Sequence, residues 1–291
     1  MIGSFLDINA KKTDAFLKKY LNQQNKSGLM FAMKYGSLSG GKKIRSSIII
    51  GAGKLFKIKS NKLLNLCAAV ECIHSYSLIH DDLPCMDNDR MRRGKLAAHV
   101  KFGESTAILA GNSLLTLAFE MIVDKYYKIE LKAKSELIKT LAICSGHTGI
   151  AGGQYLDLSF ENKKKNFLDI LNMQKKKTGK LFNFCCFAPG VIAKKKTKEL
   201  KSLSKLGEDI GLLFQLADDF IDFKGSKKIA GKSTKKDQKK GKSTLISLMG
   251  YQKANSYALE LKKNILSKLQ KHGKKAKDLI NTVEFILDRN F

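Results

Sequence analysis

The sequence predicts an all-α protein, a single domain over residues 1–291 built as a bundle of roughly ten or more helices. Only two prolines, Pro84 and Pro189, occur in 291 residues, so long helices meet few breaks. Apolar residues recur at three- and four-residue steps along most segments, which is the helical period. No low-complexity linker or repeat divides the chain, and 43% hydrophobic residues suffice for one sizeable core.

The individual helices are predicted by stripes of apolar residues along the chain. The stripe over residues 63–73 leads into a cluster of aspartates. Residues 108–119 are almost wholly apolar and predict a central helix, and the stripe over 203–217 leads into a second aspartate cluster. Residues 254–291 alternate leucine-type residues with lysine and predict surface helices. Turn signals lie at residues 39–41, at Gly152-Gly153, at 177–179 and over residues 224–241.

Charge is the most unusual feature of the composition. The formal net charge of +28 suggests nucleic acid, an anionic membrane or a phosphorylated substrate as partner. The lysines are spread along the chain, and runs such as 163–165 and 194–196 are typical of solvated turns or helix ends. Of only five arginines, Arg90, Arg92 and Arg93 follow the first aspartate cluster. Because a guanidinium binds phosphate oxygens bidentately, this placement favours a phosphate site.

Cysteine usage and hydropathy predict a cytoplasmic protein. The six cysteines show no C-x-x-C pair and no zinc spacing, which indicates buried free thiols in a reducing compartment. Residues 1–20 lack the apolar core of a secretory signal, and uninterrupted apolar runs are shorter than a bilayer requires. We therefore expect no stable membrane insertion.

The first candidate site is the acidic run of Asp81, Asp82 and Asp87. Pro84 cannot lie inside a helix, so the helix should end with Asp81 and Asp82 on its last turn and Asp87 on the loop beyond. Carboxylates there face the negative end of the helix dipole, so a positive partner is expected. Clustered hard oxygen ligands suit Mg²⁺ held together with substrate phosphates.

The second candidate site lies between Gln215 and Asp222. Asp218 and Asp222 are four residues apart and share one helix face, with Asp219 beside them. Like charges at this spacing destabilise a bare helix, and a bridging divalent cation would relieve the repulsion. Either motif alone is more often a solvated surface. Two of them, each at the end of an apolar helix, favour an internal cavity lined with carboxylates.

Basic residues follow flexible turns elsewhere in the chain. Gly40-Gly41 precedes Lys42, Lys43 and Arg45, whereas Lys177-Thr178-Gly179 and Lys232 come later. A nucleotide-binding P-loop is excluded, because neither Gly-Lys-Ser segment, 231–233 or 241–243, has the required glycine five residues earlier.

Taken in order, these segments resemble the trans-polyprenyl diphosphate synthase family. Residues 71–84 resemble its first aspartate-rich motif in the DDxxxxD form, and residues 215–222 resemble its second, QxxDDxxD. The other matches are the GGKRxR turn at 40–45, residues 152–157, the QxxKTG box at 174–179 and residues 241–244. The resemblance covers most of the chain and is strongest to bacterial farnesyl diphosphate synthases.

The resemblance implies an isoprenoid synthase bundle around a central cavity, which condenses isopentenyl diphosphate with an allylic diphosphate. About three Mg²⁺ ions would take part. The implied metal ligands are Asp81, Asp82, Asp87, Asp218, Asp219 and Asp222. The implied contacts of the allylic diphosphate are Arg92, Lys177 and Lys232, and those of isopentenyl diphosphate are Lys42, Arg45, His74 and Arg93. Gln215, with the polar groups of Lys177 and Thr178, would face the developing allylic cation.

A charge count supports these roles. Two diphosphates of on the order of −3 each and six carboxylates exceed the roughly +6 of three Mg²⁺, so several fixed cations are needed. Without them the site would repel its substrates. The family is usually homodimeric, so we expect a homodimer and no nucleic-acid partner.

Product length is implied by Tyr76, five residues before the first aspartate, and by Ser77 after it. In the resembling enzymes a bulky residue there closes the product tunnel early, which favours farnesyl diphosphate. Residues 85–88 also resemble geranylgeranyl diphosphate synthases, which leaves the longer product as the enzymatic alternative.

The motifs also bear on three other classes of protein. The DDxxD form of the second motif argues against a terpene cyclase. A nucleic-acid-binding protein would explain the basic surface, but no helix-turn-helix, zinc or RNA-binding signature accompanies it. A non-catalytic partner subunit would tend to lose one aspartate motif, and both are intact. Departures from the family pattern, none at a metal ligand, are Lys43 for arginine, Ser46 for proline, Arg90 for an acidic residue and 96–98 for Pro-Thr-x.

Overall fold

A computed structural model describes residues 2–224 and 244–288 of the chain. These residues form more than ten α-helices and a single two-stranded hairpin, so the predicted all-α class is confirmed. Contacts divide the chain into two compact units, Met1–Ile138 and Lys139–Phe291, and the boundary falls within one helix.

The first unit contains the elements up to the helix in which the boundary falls. They are α1 (Ile2–Asn22), α2 (Gly28–Ser37), α3 (Ile44–Leu55), a 3-10 turn (Ser60–Leu63), α4 (Leu64–Asp81), β1 (Met91–Arg92), β2 (Lys95–Leu96), α5 (Ala98–Phe102), α6 (Glu104–Val123) and α7 (Leu131–Ser145).

Helix α4 lies at the core of this unit. It contacts α1, α2, α3 and α6, and nearly all its side chains from Leu66 to Ile79 are buried. A helix that is apolar all round is stable only when it is covered on all sides. Its few polar residues, among them Glu71 and His74, therefore lie in a poorly hydrated environment and need partners within the protein.

Helix α6 covers one side of α4 and corresponds to the predicted apolar helix at 108–119. The face against α4 is buried, whereas Ile108 and Leu109 are 41% and 55% exposed. By length and composition alone α6 could cross a membrane, contrary to the expectation that apolar runs are too short. It is the one such helix in the described part of the chain, and packing in the fold buries part of it.

The second unit contains the remaining elements. They are α8 (Ile150–Ser159), α9 (Phe167–Gln174), a π-helical turn (Lys175–Gly179), α10 (Lys180–Ile192), α11 (Thr197–Lys224), α12 (Leu245–Met249), α13 (Tyr251–Gln270), a 3-10 turn (Gly273–Ala276) and α14 (Lys277–Asp288).

Helix α11 organises this unit. It contacts α10, α13 and α14 as well as the π-helical turn. The core against α10 includes Phe182, Leu206 and Ile210, all buried. As predicted for surface helices, α13 and α14 bury one apolar face each and leave most of their lysines in solvent.

Two predicted turns are wrong. Gly152-Gly153 lies within α8, and Lys177-Thr178-Gly179 lies in the π-helical turn that joins α9 to α10 without a break. Gly153 is required not by a turn but by the close approach of Lys177, which belongs to a distant segment and leaves no local signal in the sequence. The predicted turns at 39–41, 163–165 and 194–196 do lie between helices. Lys224 is the last residue of α11, and residues 225–243 lie outside the described residues.

Candidate active site

The first aspartate motif sits at the end of α4. The helix ends at Asp81, Asp82 caps it, and Pro84 follows in the loop, as predicted from the sequence. The loop folds back on the helix end, because the backbone N–H of Asp87 donates to the Asp81 carbonyl at 2.8 Å and that of Asp89 donates to the Asp82 carbonyl at 3.1 Å. These bonds hold Asp87 close to Asp81 in space, although the two are six positions apart in the sequence.

A short hairpin brings Arg92 to this motif. Arg93 and Gly94 form its two-residue loop, both with positive φ (52° and 74°), which matches the twist of a tight hairpin. Arg92 Nε donates to the two carboxylate oxygens of Asp82 at 3.0 and 3.2 Å, and its Nη2 also donates to Asp82. Arg92 is thus the positive partner that carboxylates at a helix C-terminus require.

Asp82 and its neighbour Asp89 are buried. Burial raises the pKa of Asp82 above its usual value, and the hydrogen bond from Arg92 opposes that rise. Asp89, whose Oδ2 lies 3.5 Å from Arg92 Nη2, completes the cluster and was missed in the sequence. The signal in the sequence is the spacing of Asp89, which lies three residues before Arg92, the arginine that also binds Asp82.

The glycine turn before α3 is held by the second arginine of the hairpin. Arg93 Nη1 donates to the Gly40 carbonyl and to Ser39 Oγ. Gly40 and Gly41 have φ of 82° and 98°, and a Cβ on Gly41 would lie 3.0 Å from the Arg93 Cζ. Only glycine fits a turn of this shape beside the guanidinium. Lys42 follows the turn and is exposed.

His74 lies on α4 within a group of cations. Burial lowers the pKa of His74 well below its usual value, and the positive charges of Arg45 and Arg93 lower it further. The imidazole is therefore neutral at pH 7 and can offer a hydrogen bond but no charge. The four residues assigned to isopentenyl diphosphate, Lys42, Arg45, His74 and Arg93, all belong to the first unit.

The two residues assigned to product length, Tyr76 and Ser77, lie about one turn before the first aspartates. Tyr76 is 7% exposed, and its ring makes an edge-to-face contact with His80, with 5.3 Å between centroids. Burial raises the pKa of Tyr76, and the charge of Asp81 raises it further, so the phenol stays neutral. Ser77 donates from Oγ to the His74 carbonyl at 2.9 Å, which keeps its hydroxyl on its own helix.

In the second unit the acidic motif occupies the last turns of α11. Asp218 and Asp222 are partly exposed, and Asp219 is buried, as expected for successive positions on a packed helix. Gln215 Nε2 donates to Asp219 Oδ1 at 2.8 Å, and Gln174 Nε2 donates to Asp219 Oδ2 at 3.0 Å. Two amide donors therefore fix the carboxylate of Asp219.

Thr178 extends this chain of hydrogen bonds. Its Oγ1 donates to Gln215 Oε1 at 2.8 Å, so the orientation of the Gln215 amide is set by Thr178 on one side and Asp219 on the other. The structure thus brings together two of the three residues assigned to the allylic cation. Gln174 was part of a matched motif without a role; the structure places it against Asp219.

Lys177 is held by a carboxylate from α8. Its Nζ lies 2.7 Å from Asp157 Oδ2, and both side chains are largely buried. The π-helical turn approaches α8 so closely that a Cβ on Gly153 would lie 2.1 Å from the Lys177 backbone nitrogen. Asp157 also had no predicted role. Lys232, the remaining predicted phosphate ligand, lies outside the described residues.

The donor set of each motif fits Mg²⁺. Each offers carboxylate oxygens, the hard ligands that this ion prefers. Within residues 2–224 and 244–288 no group of three or more His, Cys, Asp or Glu side chains forms a metal-binding cluster. Mg²⁺ is usually bound by one or two carboxylates plus substrate phosphates and water, which is what either motif could provide.

Comparison with known proteins gives a consistent result. The polyprenyl synthetase family model matches residues 26–283. Farnesyl diphosphate synthase of Escherichia coli is 39% identical over 263 residues, 89% of this chain and 88% of that protein. Geranylgeranyl pyrophosphate synthase 4 of Arabidopsis thaliana is 38% identical over 263 residues, 89% of this chain and 70% of that protein.

A solved structure agrees over the whole fold. A geranyltransferase from Helicobacter pylori, complexed with magnesium and isoprenyl diphosphate, superposes with a TM-score of 0.82. It is 30% identical and covers 98% of this chain and 96% of its own. The family predicted from two aspartate motifs is thereby confirmed, and this chain belongs to the polyprenyl synthetase family.

Proposed function

We propose that this protein catalyses the Mg²⁺-dependent condensation of isopentenyl diphosphate with dimethylallyl and geranyl diphosphate to give farnesyl diphosphate. The prenyltransferase class follows from the family and from the relatives' names. The observation that carries the assignment is the geometry around the first aspartate motif. Arg92 donates hydrogen bonds to Asp82, while the adjacent Arg93 donates to the carbonyl of Gly40 in the glycine turn. One hairpin thus joins the acidic motif to the basic turn.

Isopentenyl diphosphate is bound by the cations of the first unit. Lys42, Arg45 and Arg93 supply positive charge, and guanidinium groups match phosphate oxygens bidentately. His74 is neutral and adds a hydrogen bond. Because this substrate does not ionise in the reaction, the site needs only to hold the diphosphate and direct the double bond.

The allylic diphosphate is the substrate that ionises. When bound, Mg²⁺ supplies electrostatic stabilisation of the leaving diphosphate. We infer that the aspartates of both motifs hold about three such ions. Arg92, Lys177 and Lys232 would add fixed positive charge, so the C–O bond breaks without a side-chain nucleophile.

The developing cation needs oriented dipoles and the absence of water. Thr178 and Gln215 are already linked by a 2.8 Å hydrogen bond, so their dipoles need little reorganisation during the reaction. The double bond of isopentenyl diphosphate then attacks C1 of the cation, and the departing diphosphate accepts the proton that is lost. Apolar helix walls protect the cation from water.

The residue assigned to product length, Tyr76, favours farnesyl diphosphate as the product. The Tyr76 ring is buried and braced by His80, which makes it a rigid block rather than a movable one. The second candidate is geranylgeranyl diphosphate, favoured by the 38% identity to the Arabidopsis synthase. The two candidates differ only in how far the product grows past Tyr76.

We also propose a cytoplasmic homodimer, without nucleic acid as a partner, in which residues 1–291 work as one catalytic domain. All six cysteines are free thiols, in keeping with a reducing compartment. Five are buried as predicted, but the prediction is wrong for Cys85, which is exposed in the loop after α4. The exposed apolar side chains of α6, Ile108 and Leu109, offer a surface that a second copy could cover.

The test is a condensation assay with purified protein. Isopentenyl diphosphate is supplied with dimethylallyl or geranyl diphosphate, in Mg²⁺ or EDTA, and products are identified by mass spectrometry. A Mg²⁺-dependent fifteen-carbon product is expected. A twenty-carbon product would favour the second candidate, and no product from folded protein would refute the enzymatic proposal. Salt-sensitive retention on DNA would then point to the nucleic-acid alternative.

A further inference from the structure

Glu71 is a buried carboxylate on the apolar helix α4. Glu71 is 2% exposed and lies three residues before His74 on the same helix. A buried charge without compensation is strongly destabilising, so Glu71 must be held by donors. No role in chemistry was predicted for it, and the first aspartate motif begins ten residues later.

Two residues at the start of α3 hold Glu71. Ser46 Oγ donates to Glu71 Oε1 at 2.9 Å, and Lys43 Nζ lies 3.6 Å from Glu71 Oε2. The Lys43 side chain is 1% exposed; it also donates to the Ser37 carbonyl at 2.9 Å and lies 3.4 Å from Asp14 Oδ1. One carboxylate oxygen of Glu71 thus accepts a hydrogen bond from Ser46, and the other forms an ion pair with Lys43.

The position of these donors connects them to the substrate site. Lys43 directly follows Lys42, and Ser46 directly follows Arg45, so each anchored residue is the immediate neighbour of one proposed isopentenyl diphosphate ligand. Lys43 has φ 44° and ψ 50°, a left-handed conformation that is costly for lysine. The contacts of its side chain in the core compensate for that cost.

We propose that Glu71, Lys43 and Ser46 form an anchor that positions the isopentenyl diphosphate ligands, and that Lys43 and Ser46 act as a matched pair. An ammonium is a point charge, whereas a guanidinium could bind both oxygens of one carboxylate. With lysine at position 43, the hydroxyl of Ser46 is needed for the second oxygen. The proposal rests on the proposed function and explains two departures from the family pattern together.

The pairing predicts a specific non-additivity. When a buried charged group loses a hydrogen-bond donor, the equilibrium constant that depends on that group changes by a factor on the order of ten. The equilibrium at issue here is the binding of isopentenyl diphosphate. In Ser46→Ala the KM for isopentenyl diphosphate should therefore rise about tenfold, whereas the KM for the allylic substrate should change less than about twofold. In a Lys43→Arg background the same Ser46→Ala change should cost less than about threefold.

The experiment is a double-mutant cycle of Ser46→Ala and Lys43→Arg. Both KM values are measured for each variant, and the folded state is checked by circular dichroism. Ser145→Ala is the matched control: this buried hydroxyl donates to the Leu141 carbonyl of its own helix at 2.8 Å, so neither KM should change. Rescue by Lys43→Arg together with the substrate-selective KM change would support the anchor.

Other outcomes would overturn the proposal. Equal rises in both KM values, or a loss of thermal stability alone, would reduce the cluster to a structural role. Full additivity in the cycle would refute the pairing. If wild-type protein gives no product at all, the proposed function fails instead; calorimetric binding of isopentenyl diphosphate then tests the anchor on the same variants. Absence of binding by wild type would overturn the anchor too.

Discussion

Replacing Gly153 with alanine should displace the π-helical turn that carries Lys177. The added Cβ would lie 2.1 Å from the backbone nitrogen and 2.4 Å from the Cα of Lys177. Ordinary contact begins at 3.4 Å, so the two backbones must separate by about 1.3 Å. The obstructing atoms belong to the main chain, so no side-chain rotation can relieve the clash.

A shift of this size should chiefly affect catalysis. A misplacement of about 1 Å in a catalytic group can cost on the order of 100-fold in rate. We therefore expect kcat/KM for the allylic substrate to fall about 100-fold in Gly153→Ala. The added methyl overpacks the interface and should also lower the free energy of unfolding by about 1–3 kcal/mol. The KM for isopentenyl diphosphate should change little, because its proposed ligands lie in the first unit.

Steady-state kinetics with each substrate varied, together with thermal unfolding, measures both effects. Gly28→Ala is the matched control, since a Cβ there meets nothing within 4 Å and that helix position has ordinary backbone geometry. It should leave kcat/KM unchanged. The reasoning is refuted if Gly153→Ala keeps its allylic kcat/KM within about threefold of wild type, because Lys177 would then tolerate the displacement.

Three further outcomes are expected. EDTA should abolish condensation and excess Mg²⁺ should restore it, as judged by product formation, since the carboxylate donor set suits this ion. Tyr76→Ala should shift the product from fifteen toward twenty carbons in mass spectrometry, because it removes the buried ring that we propose blocks growth of the product. His74 has a lowered pKa, so below about pH 6.5 the unfolded chain binds a proton that the folded chain excludes. Stability in denaturant should therefore fall as pH drops from about 6.5 to 5, and His74→Gln should weaken that dependence.

Local signals in the sequence predicted the frame of the site. Pro84 marked the end of α4 at Asp81, and the spacing of Asp218 and Asp222 placed both on one face of α11, because helix ends and helix faces depend on neighbouring residues. The hairpin that carries Arg92 and Arg93 was missed. Strands of two residues are too short for an alternating pattern to be recognised.

Contacts between distant segments could not be predicted in this way. The Gly152-Gly153 pair indicated a turn, yet Gly153 is required by the approach of Lys177 from another element. Glu71 shows what could be gained from sequence: a lone acidic residue on an apolar helix must have a buried partner. That rule predicts the existence of a donor but not its identity, because Lys43 and Ser46 reach it only through the packing of α3 on α4.

The second aspartate of each motif is held by the protein itself. Asp82 accepts hydrogen bonds from Arg92, and Asp219 accepts hydrogen bonds from Gln174 and Gln215. An oxygen that already accepts a hydrogen bond has fewer lone pairs to offer a cation. We therefore expect Asp82 and Asp219 to support the metal site more than they bind the ion directly, while Asp81 and Asp218 keep the ligand role that the family resemblance implies.

Magnesium titration separates the two roles. Asp81→Asn and Asp218→Asn should raise the half-saturating Mg²⁺ concentration at least about tenfold. Asp82→Asn and Asp219→Asn should lower kcat about 10–100-fold, since the loss of supporting contacts misplaces the neighbouring ligand, and should change the Mg²⁺ requirement less than about threefold. An equal Mg²⁺ shift in all four variants would instead favour all four carboxylates as direct ligands. The hydrogen bonds to Asp82 and Asp219 would then have to open when the metal binds.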